Sequence, residues 1–172
     1  MKRFTTLFAF VAACFFTQAQ FVDRTNFRAG INGGIVVGDF SEAYSLTLGL
    51  DVYHHWGISK AIDIGVATGY MNSFGEKEGV LPSGGSIVTE DNFQFIPVGG
   101  SFRIYPAKKG FKFGADVGYA VGLNQGNNGG LYYRPSIGFD ITRGTTEMNI
   151  SYFAVNDEVT FSTALVGILI LF

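Results

Sequence analysis

The sequence predicts an all-β fold, an eight-stranded antiparallel up-and-down barrel that crosses a membrane with its strands. Three observations lead there. Residues 111–123, FKFGADVGYAVGL, place Phe111, Phe113, Ala115, Val117, Tyr119, Val121 and Leu123 on one face and Lys112, Gly114, Asp116, Gly118, Ala120 and Gly122 on the other. That is the period of two that marks a strand, with a greasy outer face and an inner face small enough for a narrow interior. The alternation recurs in eight segments, each near the ~9 to 11 residues that a tilted strand needs to span a bilayer. The connections, finally, are tight on one rim, and the other rim holds both of the longest.

Composition narrows the class. The 172 residues suffice for one domain. Aromatics at 16%, 24 glycines and a charged fraction of only 15% do not describe a disordered chain. Twelve basic against 14 acidic residues give no argument for a nucleic-acid partner. No apolar run reaches the roughly 18 residues of a membrane helix, so any crossing falls to strands.

Residues 1–20 read as a cleaved signal peptide, with basic Lys2 and Arg3, an apolar core over 4–16 and a small exit residue, Ala19. The barrel domain is then 21–172. Cys14 lies in the signal, which leaves the mature chain without a disulfide. Val11-Ala12-Ala13-Cys14 also resembles a lipoprotein signal, but Phe15 and Phe16 continue the apolar run where such signals turn polar.

The first strand is expected over 27–38, with Ala29, Ile31, Ile35 and Val37 opposite Arg28, Gly30, Asn32 and Gly34. The second covers 44–54 (Tyr44, Leu46, Leu48, Leu50, Val52 outward) and turns at 56–60. The third covers 61–72 and leads into the longest irregular segment, 73–91. In the fourth, 92–105, Phe93 and Phe95 share one parity while Val98, Phe102 and Ile104 share the other. Pro97 lacks an N–H and sits where the phase changes, so a β-bulge is expected there. Residues 111–123 form the fifth strand, 131–142 the sixth, 146–155 the seventh and 158–172 the eighth. The last alternates poorly: Ser162, Ala164, Val166, Ile168, Ile170 and Phe172 share one face, yet Leu165, Leu169 and Leu171 on the other are also apolar.

The connections at 39–43, 73–91, 124–130 and 156–157 fall on one rim, and those at 56–60, 106–110 and 143–145 on the other. Short periplasmic turns and longer outer loops are the outer-membrane arrangement, and eight strands bring both termini to the periplasmic side. Tyr44, Tyr70, Phe93, Tyr133, Tyr152 and Phe161 are expected near the outer rim and Trp56, Phe111 and Phe172 near the inner one, as two aromatic girdles.

Parity also collects charge inside. Arg28, Asp51, Asp63, Arg103, Lys112, Asp140 and Glu147 fall on the inward face near the short-turn ends, with Asp116 and Arg134 higher up. Unpaired charges in a narrow interior are costly, and eight strands enclose a space that side chains just fill. A lumen plugged by salt bridges is therefore expected; a gated ion path or binding site is the sharper alternative. His54 and His55 are the only histidines, and with Ser59 nearby they invite a hydrolytic reading, but interfacial or turn residues beside Trp56 are the plainer one. No metal-ligand spacing and no phosphate loop is visible, and no cofactor is implied. Glu76, Lys77, Glu78, Glu90 and Asp91 make the longest loop a charged interaction surface, read as solvated in preference to cation-binding.

The signal ending Gln18-Ala19-Gln20, the Ile96-Pro97-Val98 step, the glycine-rich alternating strands and the terminal Phe172 resemble the small outer-membrane β-barrel proteins of Bacteroidetes and, more distantly, barrels of the OmpA and OmpX type. The resemblance implies a bacterial outer-membrane location, lipid as the surrounding partner, and Phe172 as the signal read by the barrel-assembly machinery. The families it resembles are functionally diverse, so the resemblance speaks to location more than to activity; the leading reading is a non-enzymatic barrel whose loops, chiefly 73–91, act on an extracellular or envelope partner, in adhesion or envelope integrity. A lipid-modifying membrane enzyme and a soluble lipocalin-like carrier are the alternatives. The carrier fits poorly, since it would turn Gly114, Gly118 and Gly122 to water.

Overall fold

A strand with one bulky apolar face keeps its backbone polar groups satisfied in an apolar phase only if both edges are paired, which a sheet achieves by closing on itself. The computed structural model describes residues 25–75, 79–80, 86–87, 92–106, 110–125, 127–142, 145–157 and 159–172. Within them run eight barrel strands: β1 (Thr25–Val37), β2 (Tyr44–Gly57), β3 (Ile62–Gly75), β4 (Phe93–Ile104), β5 (Phe111–Gly122), β6 (Gly130–Thr142), β7 (Thr146–Asn156) and β8 (Thr160–Leu171). Each pairs antiparallel with its sequence neighbours, and β8 pairs with β1 to close the barrel. A single 3-10 turn, Gly38–Phe40, follows β1, and a short hairpin of Gly79–Val80 and Ser86–Ile87 lies between β3 and β4.

The register fixes the barrel's dimensions. Stepping across from Phe27 through His54, Val66, Gly100, Val117, Tyr133, Ala154 and Ser162 returns to β1 at Val37. The stagger is ten residues, from 27 to 37. Eight strands with this stagger tilt by about 40° and enclose a backbone radius of about 8 Å. Side chains from opposite walls therefore meet at the axis. At the closing seam Gly30 and Gly34 point at the neighbouring backbone: a Cβ on them would lie 1.9 Å from the carbonyl oxygens of Ile168 and Ala164.

Outward positions are predominantly apolar on every strand. Ile31, Leu50, Val117, Leu131, Ile137, Ile150 and Val166 are each more than half exposed, an apolar belt far larger than a water-facing surface tolerates. Tyr70, Tyr133 and Tyr152 lie on this outer face, as do Trp56, Phe111 and Phe172.

Two expectations about side-chain direction are corrected, and a direction that the sequence leaves open is decided. There is no bulge at Pro97: β4 keeps one register with β3 on either side of it and one register with β5 throughout. Phe95, Pro97, Ser101 and Arg103 all face inward, and Phe93 packs against Phe95. Register shifts lie elsewhere, one in β6 between Asp140 and Thr142 and one in β2 between Tyr44 and Thr47, where the pairing with β3 shifts by one; the latter turns Tyr44 into the lumen although Leu46, Leu48 and Leu50 face out. Phe161 is likewise inside, so Tyr44, Phe93 and Phe161 do not belong to the outer girdle. In β8, Ala164, Val166, Ile168 and Ile170 face out while Leu165 and Leu169 are buried in the interior, which settles the direction of the poorly alternating strand.

Candidate functional site

The interior is built in three layers, stacked from the short-turn rim to the loop rim. The lowest gathers residues near the ends of β1, β5, β6 and β7. Arg28 Nη1 donates to Glu147 Oε2 at 2.8 Å, and Lys112 Nζ reaches the same oxygen at 2.9 Å while also pairing with Asp140. Tyr105, just past β4, ties in Asp63: Arg28 Nη2 donates to its hydroxyl at 3.0 Å, and the hydroxyl donates to Asp63 Oδ2 at 2.6 Å. Burial pushes the Tyr105 hydroxyl up to about 12, so it keeps the proton that it offers to Asp63.

The middle layer centres on two buried pairs. Arg134 of β6 grips Asp51 of β2 with two hydrogen bonds of 2.6 and 2.9 Å, and its Nε donates to Ser151 Oγ at 2.9 Å. Arg103 of β4 donates to Asp116 Oδ1 of β5 at 2.7 Å and stacks over the Tyr53 ring at 4.9 Å. Asp116 also accepts from Ser101 at 2.7 Å and from Tyr53 at 3.2 Å. Asp116 and Arg134 face each other in register, yet each takes a partner elsewhere. Fork-like Arg–carboxylate geometry with further donors is the arrangement that compensates desolvated charges.

Above these lies an apolar layer: Val36, Tyr44, Met71, Phe95, Tyr132, Phe153, Val155, Phe161 and Leu165, capped by Phe40 and Phe93. Rings in it approach to between 4.9 and 6.3 Å, including Phe93–Phe95 at 4.9 Å and Phe93–Phe161 at 5.1 Å. Between the middle layer and this one, a void of about 10 Å³ is lined by Asp51, Tyr53, Asp116, Tyr132, Arg134 and Phe153, about enough for one water.

The nine charged residues named from the sequence divide between two layers, with one correction: Asp51 and Arg103, expected with the lower group, pair with Arg134 and Asp116 in the upper one. Arg28, Asp63, Lys112, Asp140 and Glu147 meet below; Asp51, Arg103, Asp116 and Arg134 meet above. Glu76, Lys77, Glu78, Glu90 and Asp91 lie outside the described residues, as do residues 1–20. Phe172 sits at the seam, its N–H donating to Phe27 O at 2.9 Å and its ring 6.1 Å from that of Phe27.

His55 is not a turn residue. β2 continues to Gly57, and His55 is fully buried in the lumen, stacked on Tyr53, whereas His54 faces outward against Trp56. Its Nε2 lies 2.9 Å from Ser101 Oγ, which brings a histidine, a serine and an aspartate together. They are wired in the wrong order for nucleophilic catalysis. Ser101 has one proton and gives it to Asp116, so Nε2 must be the donor to Ser101, and a nitrogen that carries the proton cannot act as base to that hydroxyl. The carboxylate meets the serine, and Nδ1 of His55, which a triad acid would hold, has no hydrogen-bond partner among the described residues. Parity could have found Tyr53, His55, Ser101 and Ser151, since each shares the face of a charged residue on its own strand or beside one.

No family model matches the chain, and no curated protein matches it in sequence. Solved structures do resemble it. The outer membrane protein Ail of Yersinia pestis, determined in a phospholipid bilayer nanodisc, aligns over 87% of this chain and all of its own, with a TM-score of 0.57 and 12% identity. Neisserial surface protein A aligns over 86% of this chain and 97% of its own, with a TM-score of 0.51 and 13% identity. A de novo designed transmembrane β-barrel aligns over 86% and 95%, with a TM-score of 0.51 and 11% identity. At such identities the likeness is one of fold: a closed, eight-stranded, all-antiparallel barrel.

Proposed function

We propose that the chain is an integral, non-enzymatic barrel of the bacterial outer membrane, with a lumen closed by its own side chains. It acts through the loop rim on an extracellular or envelope component. The observation that carries the reading is the pairing of an apolar exterior with a filled interior. Strands of 11 to 14 residues, rising ~3.3 Å per residue at a tilt of about 40°, cover about 30 Å, enough for the apolar band of an outer-membrane barrel. Inside, two ion-pair layers and one aromatic layer leave little room on the axis. The residues that remain to meet a partner are those of the rims.

The likeness to Ail and to Neisserial surface protein A supports this location and a role at the cell surface. An amino-terminal export signal over 1–20, periplasmic termini, and insertion by the assembly machinery reading Phe172 complete the proposal. Fractionation tests it: a heat-modifiable band in the outer-membrane fraction is expected, and a soluble periplasmic pool would refute it. Pull-down from envelope extracts with residues 76–91 intact and replaced by a short linker tests whether the longest loop carries the interaction; equal recovery would assign it elsewhere.

A further inference from the structure

We propose that the mouth of the barrel holds a binding site for a small organic cation of the quaternary-ammonium class. This rests on the loop-rim geometry alone and is independent of the location proposed above. A cavity of about 200 Å³ opens at the loop rim over the aromatic layer. Its floor is formed by Phe40, Phe93, Phe95 and Phe161, and Asp157 stands at its edge. Because Phe95 and Phe161 point into the lumen, the cavity opens along the barrel axis and not onto the lipid-facing exterior, so its occupant comes from solution. It is smaller than the pockets that hold drug-sized ligands and suits one compact group.

Three features select the chemistry. Aromatic faces attract a cation through the ring quadrupole, and quaternary ammonium groups are the ligands most often recognised this way. The charge of the rim agrees: among the described residues its connections carry exposed Asp39, Glu42 and Asp157 and no lysine or arginine, and over the whole sequence of those connections Lys77 is the single basic residue. The polar wall, finally, is partly engaged already. Asn127 donates to Gln94 O at 2.7 Å and accepts from the Gly129 N–H at 3.0 Å, and the Asn128 carbonyl accepts from the Tyr119 hydroxyl at 3.1 Å. A guanidinium or primary ammonium brings several donors, and beyond the Asp157 carboxylate at the edge the wall offers few open acceptors for them; a quaternary ammonium brings none. The bonds to Gln94 and Tyr119 tie the wall to β4 and β5, so the cavity is formed before a ligand arrives.

The test uses the full mature chain refolded in detergent micelles and followed by amide NMR. Choline, its neutral isostere 3,3-dimethyl-1-butanol and methylguanidinium are titrated separately. Choline should give saturable shifts at Asn128, Gly129 and Asp157 and bind about tenfold tighter than the isostere. Asp157→Asn, in an exposed turn, should weaken choline about fivefold and leave the isostere unchanged; Phe40→Leu, which keeps apolar bulk but removes a ring face, should weaken choline by a similar factor. Isostere binding equal to choline, tighter binding of methylguanidinium, or no saturable shift at these amides would each overturn the proposal. Choline binding that emerges only when residues 76–91 are replaced by a short linker would make that connection the occupant, and would overturn it too.

Discussion

Replacing Asp51 with asparagine probes the middle layer with almost no change of shape. Asp51 and Arg134 meet through bonds of 2.6 and 2.9 Å, with side chains only 2% and 4% exposed. At that separation, with an effective dielectric of about 20, the Coulomb attraction is about 6 kcal/mol, and desolvating both groups offsets most of it. The net worth of the pair is therefore small, but the worth of keeping it matched is not. Asp51→Asn takes away the carboxylate paired with Arg134, whose Nε keeps its bond to Ser151, and removing one partner of a buried ion pair costs about 3 to 5 kcal/mol. The double variant Asp51→Asn/Arg134→Met removes the stranded charge and should recover most of that loss. Urea unfolding in lipid vesicles, followed by the heat-modifiable shift and analysed as a double-mutant cycle, reads both. A loss below about 1 kcal/mol for the single variant, or a double variant as unstable as the sum of its parts, would refute the view that these charges are held dry and paired.

Two further predictions concern closure and assembly. Gly34→Val should prevent β1 from meeting β8, because even a Cβ there would lie 1.9 Å from the Ala164 carbonyl oxygen; no compact heat-modifiable form should be recovered, while Gly100→Ala, which has nothing within 4 Å, should refold normally. Phe172→Ala should lower accumulation in the outer membrane, since its ring is largely exposed, yet change refolded stability by no more than about 1 kcal/mol. A large loss of stability with normal accumulation would give Phe172 a structural role in place of a sorting one.

The strand pattern was legible because outward faces are mostly bulky and apolar. Residues 111–122 show it best: their even positions are inward or small as read, and the strand ends within one residue of its expected limit. Parity also found every charged residue of the two ion-pair layers. What it could not find was the apolar layer inside. Where the lumen itself is greasy, hydrophobicity no longer separates in from out, so Phe93 and Phe95 looked lipid-facing and created a false phase change at Pro97. A shift in pairing between Tyr44 and Thr47 leaves no mark on composition, so Tyr44 was placed with its neighbours Leu46 and Leu48. Leu165 and Leu169 are ambiguous for the same reason. His55 was lost to a boundary, because β2 runs past the expected turn to Gly57.

A lumen closed by side chains, as proposed, passes no ions, and conductance across a bilayer reads that closure. Purified, refolded protein reconstituted into a planar bilayer should show no stable openings across the voltage range that leaves the bilayer intact. A uniform, ohmic, long-lived conductance from the wild-type chain would contradict the account, because ions cannot pass the Arg134–Asp51 and Phe95–Phe161 levels while those contacts hold.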